Sequence, residues 1–249
     1  TIPSDQWMAN KLLTYAKKDS IPHQTVVISD SKSMNRIAKI RSVYPDLKIL
    51  TSERDIEGKE QYYIEFESVQ KALSPGRTLV FLETNNESFA SNVTSMLNGL
   101  NGLTLELQEA ENEAEEEVEI EVERELILMT TNHNKAFKGS HISNSDLSNL
   151  NFQFPSVYNY NEGLSDFGKN YKSRYGNYPS RYATRGFDLA LDLLLRLAAF
   201  EFLYMELTNT QTKYLENKFK YGQPQSGGFV NQSAYILKYQ DLFVIKMED

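Results

Sequence analysis

Thr25-Val26-Val27-Ile28-Ser29-Asp30-Ser31-Lys32-Ser33 is the stretch whose reading decides the fold. A run of four strand-forming residues gives way to five small polar or charged ones, the composition of a strand feeding a helix N-terminus. Helical spacing over 34–44 supplies that helix, and Pro45 closes it. The pattern then repeats. A short apolar run at 48–51 predicts a second strand, 64–73 a helix, Ser74-Pro75-Gly76 a turn and 78–82 a third strand. Thr84-Asn85-Asn86-Glu87 opens a helix over 88–97, and upstream 7–17 reads as a helix capped by Ser4 or Asp5. Strands alternating with helices of about ten residues predict an α/β fold, a Rossmann-like lobe with a parallel sheet covered on both faces.

The chain has 249 residues, of which 40% are hydrophobic, enough for a core. It has no cysteine, which excludes disulfides, thiolate nucleophiles, Fe–S clusters and Cys-based zinc sites. Its net charge of −8 is local in origin. Residues 106–125 hold eleven glutamates and one arginine, a charge of −10, so the other 229 residues carry +2. No basic stripe of the kind that binds nucleic acid is present. The opening Thr1-Ile2-Pro3-Ser4-Asp5 has no signal-peptide pattern. The most apolar stretch, 187–205, is interrupted by Asp188, Asp192, Arg196 and Glu201 and is no bilayer span.

The acidic segment reads as an insertion. Glu117-Val118-Glu119-Ile120-Glu121-Val122-Glu123 alternates at period two, the pattern of a solvated linker or edge strand entering the apolar run at 126–130. Binding of a cation or a basic partner is the competing reading; a specific calcium loop needs spaced oxygen ligands around a glycine, which this stretch lacks. Repulsion among its glutamates predicts mobility. Residues 131–151 are polar, and 154–160 form an extended crossing segment. Helices are predicted over 164–175, 182–205 and 212–219, and a β-hairpin over 234–245. On the long helix Asp188, Asp192 and Arg196 recur every four residues as an ion-pair stripe, while the remaining, apolar circumference predicts burial.

Enzyme signatures are missing from this pattern. His23, His133 and His141 have no metal-ligand spacing, and there is no nucleophile elbow, phosphate loop or dinucleotide fingerprint. Catalytic residues, cofactors and metals are therefore not expected. The polar loops are more informative. Ligands of open parallel sheets meet the loops at the carboxyl ends of strands. Three predicted strand ends carry small hydrogen-bonding residues: Ser29, Asp30 and Ser31; Thr84 and Asn85; Thr131 and Asn132. Two precede helix N-termini, where backbone amides favour anions. Ordinary helix capping uses the same residue types and remains the competing reading.

Tyr171-x-x-x-Tyr175-Gly176-x-x-Pro179-x-x-Tyr182-Ala183-x-x-Gly186-Phe187-Asp188 resembles the type I periplasmic binding proteins, the leucine/isoleucine/valine-binding-protein-like ligand receptors that serve as ABC transporter substrate-binding proteins. Phe187 stands where that pattern has Tyr. Residues 26–33 resemble the family's entry into its second lobe, and 154–160 its crossing strand. Gly228-Phe229-x-Asn231 with the final hairpin resembles a Bacteroidetes branch in which such domains follow LysM modules. The resemblance covers nearly the whole chain, except that about a hundred residues of first-lobe α/β units have no counterpart.

The resemblance implies an exported, non-enzymatic domain in the periplasm or cell envelope that binds or senses a small polar ligand, an amino acid, peptide or cell-wall fragment, in an interlobe cleft. Residues 1–153 would form the second lobe, with 106–125 inserted, and 154–249 the crossing segment, helices and hairpin returning to a partial first lobe. Ser29, Asp30, Ser31, Thr84, Asn85, Thr131 and Asn132 would offer hydrogen bonds, and Tyr158 and Tyr160 would stack on the ligand near the hinge. The alternative is an envelope scaffold or interaction module associated with peptidoglycan that binds no ligand. In either case the returning helix needs a surface to cover it, from its own lobe or from a second copy in a homodimer.

Overall fold

Ser4 starts the first helix: its hydroxyl accepts from the N–H of Trp7 at 3.3 Å and opens α1 (Asp5–Ala16). In the computed structural model, which describes residues 2–109, 118–159, 165–199, 210–223 and 227–247, strands and helices then alternate. They are β1 (Gln24–Ser29), a 3₁₀ turn at Ser31–Ser33 leading into α2 (Met34–Arg41), β2 (Lys48–Thr51), α3 (Phe66–Ala72), β3 (Arg77–Glu83) and α4 (Glu87–Leu100). A hairpin of β4 (Thr104–Glu109) and β5 (Val118–Glu123) follows, then β6 (Glu125–Met129), α5 (Asn144–Asn149) and β7 (Gln153–Ser156). Contacts divide the chain into two units: Leu13–Phe154 with Lys238–Val244, and Thr1–Leu12 with Pro155–Leu237 and Ile245–Asp249.

The first of these is the parallel-sheet unit. β1 is paired in parallel with β2 on one side and β3 on the other; β3 pairs in parallel with β6, and β6 with β7 at Met129 and Gln153. Val26, Val27 and Ile28 of β1, Leu79 to Leu82 of β3 and Leu126 to Met129 of β6 are buried. That is why these strands read as unbroken apolar runs: successive side chains point to opposite faces of the sheet, and both faces are buried along these stretches. On α4 the spacing of Phe89, Val93, Leu97 and Leu100 places one apolar face inward, and the Asn86 side chain caps the helix by accepting from Phe89 N–H at 2.9 Å.

The described parts of the acidic segment are paired strands, so of the two readings, linker or edge strand, the strand holds. β4 and β5 pair antiparallel with Thr104 opposite Glu123 and Glu106 opposite Glu121, in a two-stranded sheet of their own. Alternating Val118, Ile120 and Val122 give the strand propensity, and the ladder holds despite like charges in register. Residues 110–117, on which the predicted mobility also falls, lie outside the described residues.

The other unit carries α6 (Asp166–Tyr175), ended by Gly176 in the left-handed conformation (φ 79°), and α7 (Arg181–Ala199). Next come two antiparallel pairs, β8 (Thr212–Lys213) with β9 (Lys218–Phe219) and β10 (Tyr221–Gly222) with β11 (Val230–Asn231). The predicted helix over 212–219 is thus a tight β-turn. β12 (Tyr235–Gln240) and β13 (Phe243–Lys246) are the expected C-terminal hairpin, and they extend the sheet to the order β13-β12-β7-β6-β3-β1-β2. Within the parallel-sheet unit, the Tyr239 N–H donates to Phe152 O at 2.9 Å.

α7 overturns the expected burial. Thr184, Asp188, Asp192 and Arg196, the polar stripe, are its buried residues. Phe187, Leu194, Leu195 and Leu197 are 40%, 64%, 53% and 54% exposed. The 200–205 part of the predicted helix lies outside the described residues. Among those described, no helix is long and apolar enough to cross a membrane.

Candidate functional site

The carboxyl ends of β1, β3 and β6 lie side by side, because these three strands are parallel neighbours in the sheet. Their loops therefore share one edge. Asp30, buried just past β1, ties two of them together. One carboxylate oxygen accepts from Ser33 N–H at 2.8 Å, and the other from the Thr84 hydroxyl and from Asn85 N–H at 3.2 Å. Asp30 thus caps the turn into α2 and latches the β3 loop to the β1 loop.

Glu83, the last residue of β3, makes the second tie. It is fully buried, accepts from Thr131 N–H at 2.6 Å and lies 3.5 Å from the Arg36 guanidinium. Burial pushes its carboxyl up to about 7, against the opposing pull of the Thr131 N–H and the Arg36 charge. Arg36 also donates to the Asn85 side-chain oxygen at 3.0 Å. The Asn134 amide donates to Thr84 O (2.8 Å), Asn85 Oδ1 (2.9 Å) and Asn132 O (3.3 Å). All three loops are thereby joined in one hydrogen-bonded rim.

Each expected site residue has a definite place. Ser29, Asp30, Thr84 and Thr131 are buried, and their polar groups serve the rim; the Ser29 hydroxyl faces Met34 Sδ at 3.6 Å. Ser31 is half-buried, Asn132 half-buried and Asn85 exposed. Ser31 is held by Glu60, whose carboxylate accepts from the Ser31 N–H at 2.7 Å and the Ser31 hydroxyl at 2.6 Å. Tyr158 belongs to the other unit, where its ring is stacked on two guanidiniums, Arg181 at 4.5 Å and Arg185 at 4.7 Å. Tyr160 lies outside the described residues.

Sequence reasoning missed Glu83, Arg36, Asn134 and Glu60. Glu83 carried a faint signal, an acidic residue continuing an apolar strand. Glu60 carried none, because its partners stand 29 and 8 residues away. His133 is an aromatic-cluster residue: its ring centroid lies 3.7 Å from that of Phe154 and 5.9 Å from that of Phe152, and burial lowers its pKa to about 3. Among the described residues no group of three His, Asp or Glu side chains is placed to hold a metal.

The α7 stripe is a second polar centre, in the other unit. Asp188 accepts from the N–H groups of Leu215 (3.2 Å), Glu216 (3.0 Å) and Asn217 (3.0 Å) and from the Asn217 amide (2.8 Å). Asp192 accepts from Arg196 Nε at 3.0 Å, the Thr212 hydroxyl at 2.6 Å and the Tyr214 hydroxyl at 3.1 Å. Arg196 lies 5.5 Å from the Tyr221 ring centre and donates to Thr210 O at 3.3 Å. These polar groups pair with one another inside their own unit, so the stripe holds α7 to the β8–β9 turn.

No protein-family model matches this chain, and no curated protein matches it either. Solved structures do. An ABC transporter substrate-binding protein from Desulfitobacterium hafniense, in complex with Leu, is 16% identical with a TM-score of 0.51, over 99% of this chain and 66% of that one. A second structure of an ABC transporter substrate-binding protein from the same organism is 14% identical, again with a TM-score of 0.51, 99% of this chain and 66% of that one. At these identities the likeness is one of fold: α/β with a mostly parallel central sheet. The chain spans just under two thirds of the length of each neighbour.

Proposed function

We propose that this chain is a non-enzymatic, exported ligand-binding domain, working in the periplasm or cell envelope, whose ligand lies against the loops after β1, β3 and β6. The observation that carries the reading is the meeting of three polar loops at the carboxyl edge of neighbouring parallel strands, where open α/β sheets take their ligands. The rim presents the side chains of Asn85 and Asn132 and the charge of Arg36, which suits a small polar ligand such as an amino acid, a peptide or a cell-wall fragment. A thermal-shift screen of amino acids, short peptides and muropeptides tests it. One compound class should stabilise the protein saturably, by about 2.7 kcal/mol at a hundred times its Kd. A flat response to every compound would remove the receptor reading.

A second reading is an envelope scaffold associated with peptidoglycan, through LysM modules of a Bacteroidetes-type architecture, and paired with a second copy; the exposed face of α7 supports the pairing. Leu194 and Leu197 project from the side of α7 opposite the buried stripe. A groove of about 560 Å³ between α6 and α7 is lined by Phe167, Tyr171, Tyr175 and Phe187. Exposed apolar side chains beside such a groove are what an interaction site offers. Light scattering on a sizing column should give twice the chain mass of 28.6 kDa, and Leu194→Glu with Leu197→Glu should return the monomer without loss of folding. A monomeric parent protein would exclude self-pairing through this face.

A further inference from the structure

Glu60 reaches the binding edge from a loop, not from the sheet. Between β2 and α3 the chain doubles back as a narrow flap: Glu53 N–H donates to Tyr63 O (2.7 Å), Gln61 N–H to Glu53 O (2.9 Å) and Asp55 N–H to Lys59 O (3.0 Å). Gly58, at φ 79°, makes the turn, and the tip residue Ile56 is fully exposed. The returning limb passes through Tyr62 in the left-handed region (φ 49°), a conformation that a bulky residue adopts only under constraint. The Lys32 ammonium lies 5.6 Å from the Tyr62 ring centre.

This flap delivers one carboxylate onto donors of two strand ends. One Glu60 oxygen accepts from the Ser31 N–H at 2.7 Å and from the Ser52 hydroxyl; the other accepts from the Ser31 hydroxyl at 2.6 Å. Ser31 follows β1 and Ser52 follows β2, so the carboxylate bridges adjacent loops of the same edge. Burial works against its charge, but the Ser31 and Ser52 hydroxyls, the Ser31 N–H and the Arg54 charge outweigh that effect and hold the carboxyl below its ordinary range. A backbone N–H and two hydroxyls converging on an anion, with the Arg54 charge nearby, is a way to recognise a carboxylate chiefly by hydrogen bonds. The occupant here is tethered to a flap whose tip stands clear in solvent.

We propose that Ser31 and Ser52 form a carboxylate subsite of the binding edge and that Glu60 is its built-in occupant, displaced when a carboxylate-bearing ligand binds. The proposal rests on the receptor reading and names its ligand class. A tethered group competes at an effective concentration in the millimolar range or above, so the free subsite is masked until the flap lifts or a ligand supplies compensating contacts.

The test is an amide-resolved NMR titration of the full chain with sodium acetate, comparing the parent protein with Glu60→Ala. The Ser31 amide of the variant should shift saturably with acetate and not with acetamide, at an apparent affinity at least about ten-fold tighter than in the parent. Equal responses in the two proteins, or a variant Ser31 amide that acetate leaves unmoved, would overturn the proposal. If Glu60→Ala does not give a folded spectrum, Glu60→Gln takes its place: its amide oxygen keeps part of the tie, and removal of the charge should still produce the acetate response. The two readings fail separately. Acetate saturation of Ser31 with an empty amino-acid and muropeptide screen retains the subsite and removes the receptor; a ligand found by the screen that leaves Ser31 unmoved removes the subsite alone.

Discussion

Asp192→Ala is expected to destabilise the protein by about 3–5 kcal/mol, because it leaves a buried guanidinium without its carboxylate. For a chain of this size that corresponds to a thermal midpoint lower by about 6–20 °C. Asp192 is fully buried, and the Arg196 side chain is 4% exposed. Between them stand a charge-assisted bond at 3.0 Å and the hydroxyls of Thr212 and Tyr214, both donating to the same carboxylate. Burial, and then the Asp192 charge, hold the Tyr214 hydroxyl above its ordinary pKa, so Tyr214 stays a donor across the accessible pH range. Removing the carboxylate strands the Tyr214 donor as well as the cation, while the Thr212 hydroxyl keeps Phe219 O at 3.4 Å. Urea unfolding of three variants checks the account. Asp192→Ala should lose the most, and Asp192→Ala with Arg196→Met should recover part of that loss, since a buried pair replaced by apolar side chains is far less costly than a broken one. Leu194→Ala, on the exposed face, should sit within about 0.5 kcal/mol of the parent. A single Asp192→Ala as mild as Leu194→Ala would show that the stripe does not hold α7 in place.

The same stripe shows where the sequence stops being readable. Central strands such as β1 and β3 were legible because their burial on both faces demands unbroken apolar runs, and no other element of that length tolerates them. α7 was legible as an amphipathic helix, but amphipathicity defines two faces without saying which one turns inward. That choice is made by contacts 27 to 29 residues downstream, where Asp188 collects the N–H groups of Leu215, Glu216 and Asn217. The same contact explains why 212–219 is no helix despite Leu, Glu and Lys in it. Three consecutive N–H groups aimed at one side-chain carboxylate cannot also donate to carbonyls four residues back. The candidate site divides in the same way. The polar loops after β1, β3 and β6 could be read from local composition. Glu60 and Glu83 reach them from other elements, and nothing in their neighbourhoods announces where they point.

Glu83→Gln is expected to flatten the part of the stability curve that this carboxyl controls. Its pKa is about 7 when folded against an ordinary value of 4.5, raised by burial against the Thr131 N–H and Arg36. A group whose pKa rises on folding contributes stability that is complete below the unfolded value and is lost as pH climbs through the folded one. The parent should therefore lose about 3 kcal/mol relative to Glu83→Gln between pH 4.5 and pH 8. His133 acts in the opposite sense. Burial depresses its pKa from 6.5 to about 3, so its contribution is complete above 6.5 and is lost as pH falls toward 3. The two effects overlap between pH 4.5 and 6.5, and the parent curve alone would look shallow there. The difference between parent and variant isolates Glu83, because His133 is common to both. At pH 8 the variant should match or exceed the parent, since glutamine keeps an acceptor for the Thr131 N–H without burying a charge. Arg36 sets the limit of that gain: its guanidinium loses a partner 3.5 Å away but retains the Asn85 oxygen at 3.0 Å. Thermal midpoints at half-unit pH steps give the measurement, and parallel curves for the two proteins from pH 5 to 8 would remove Glu83 as the titrating group. If instead the difference opens between pH 4.5 and 7, the loops after β3 and β6 are held together best when Glu83 is protonated, and the rim that they form loosens as the carboxyl ionises.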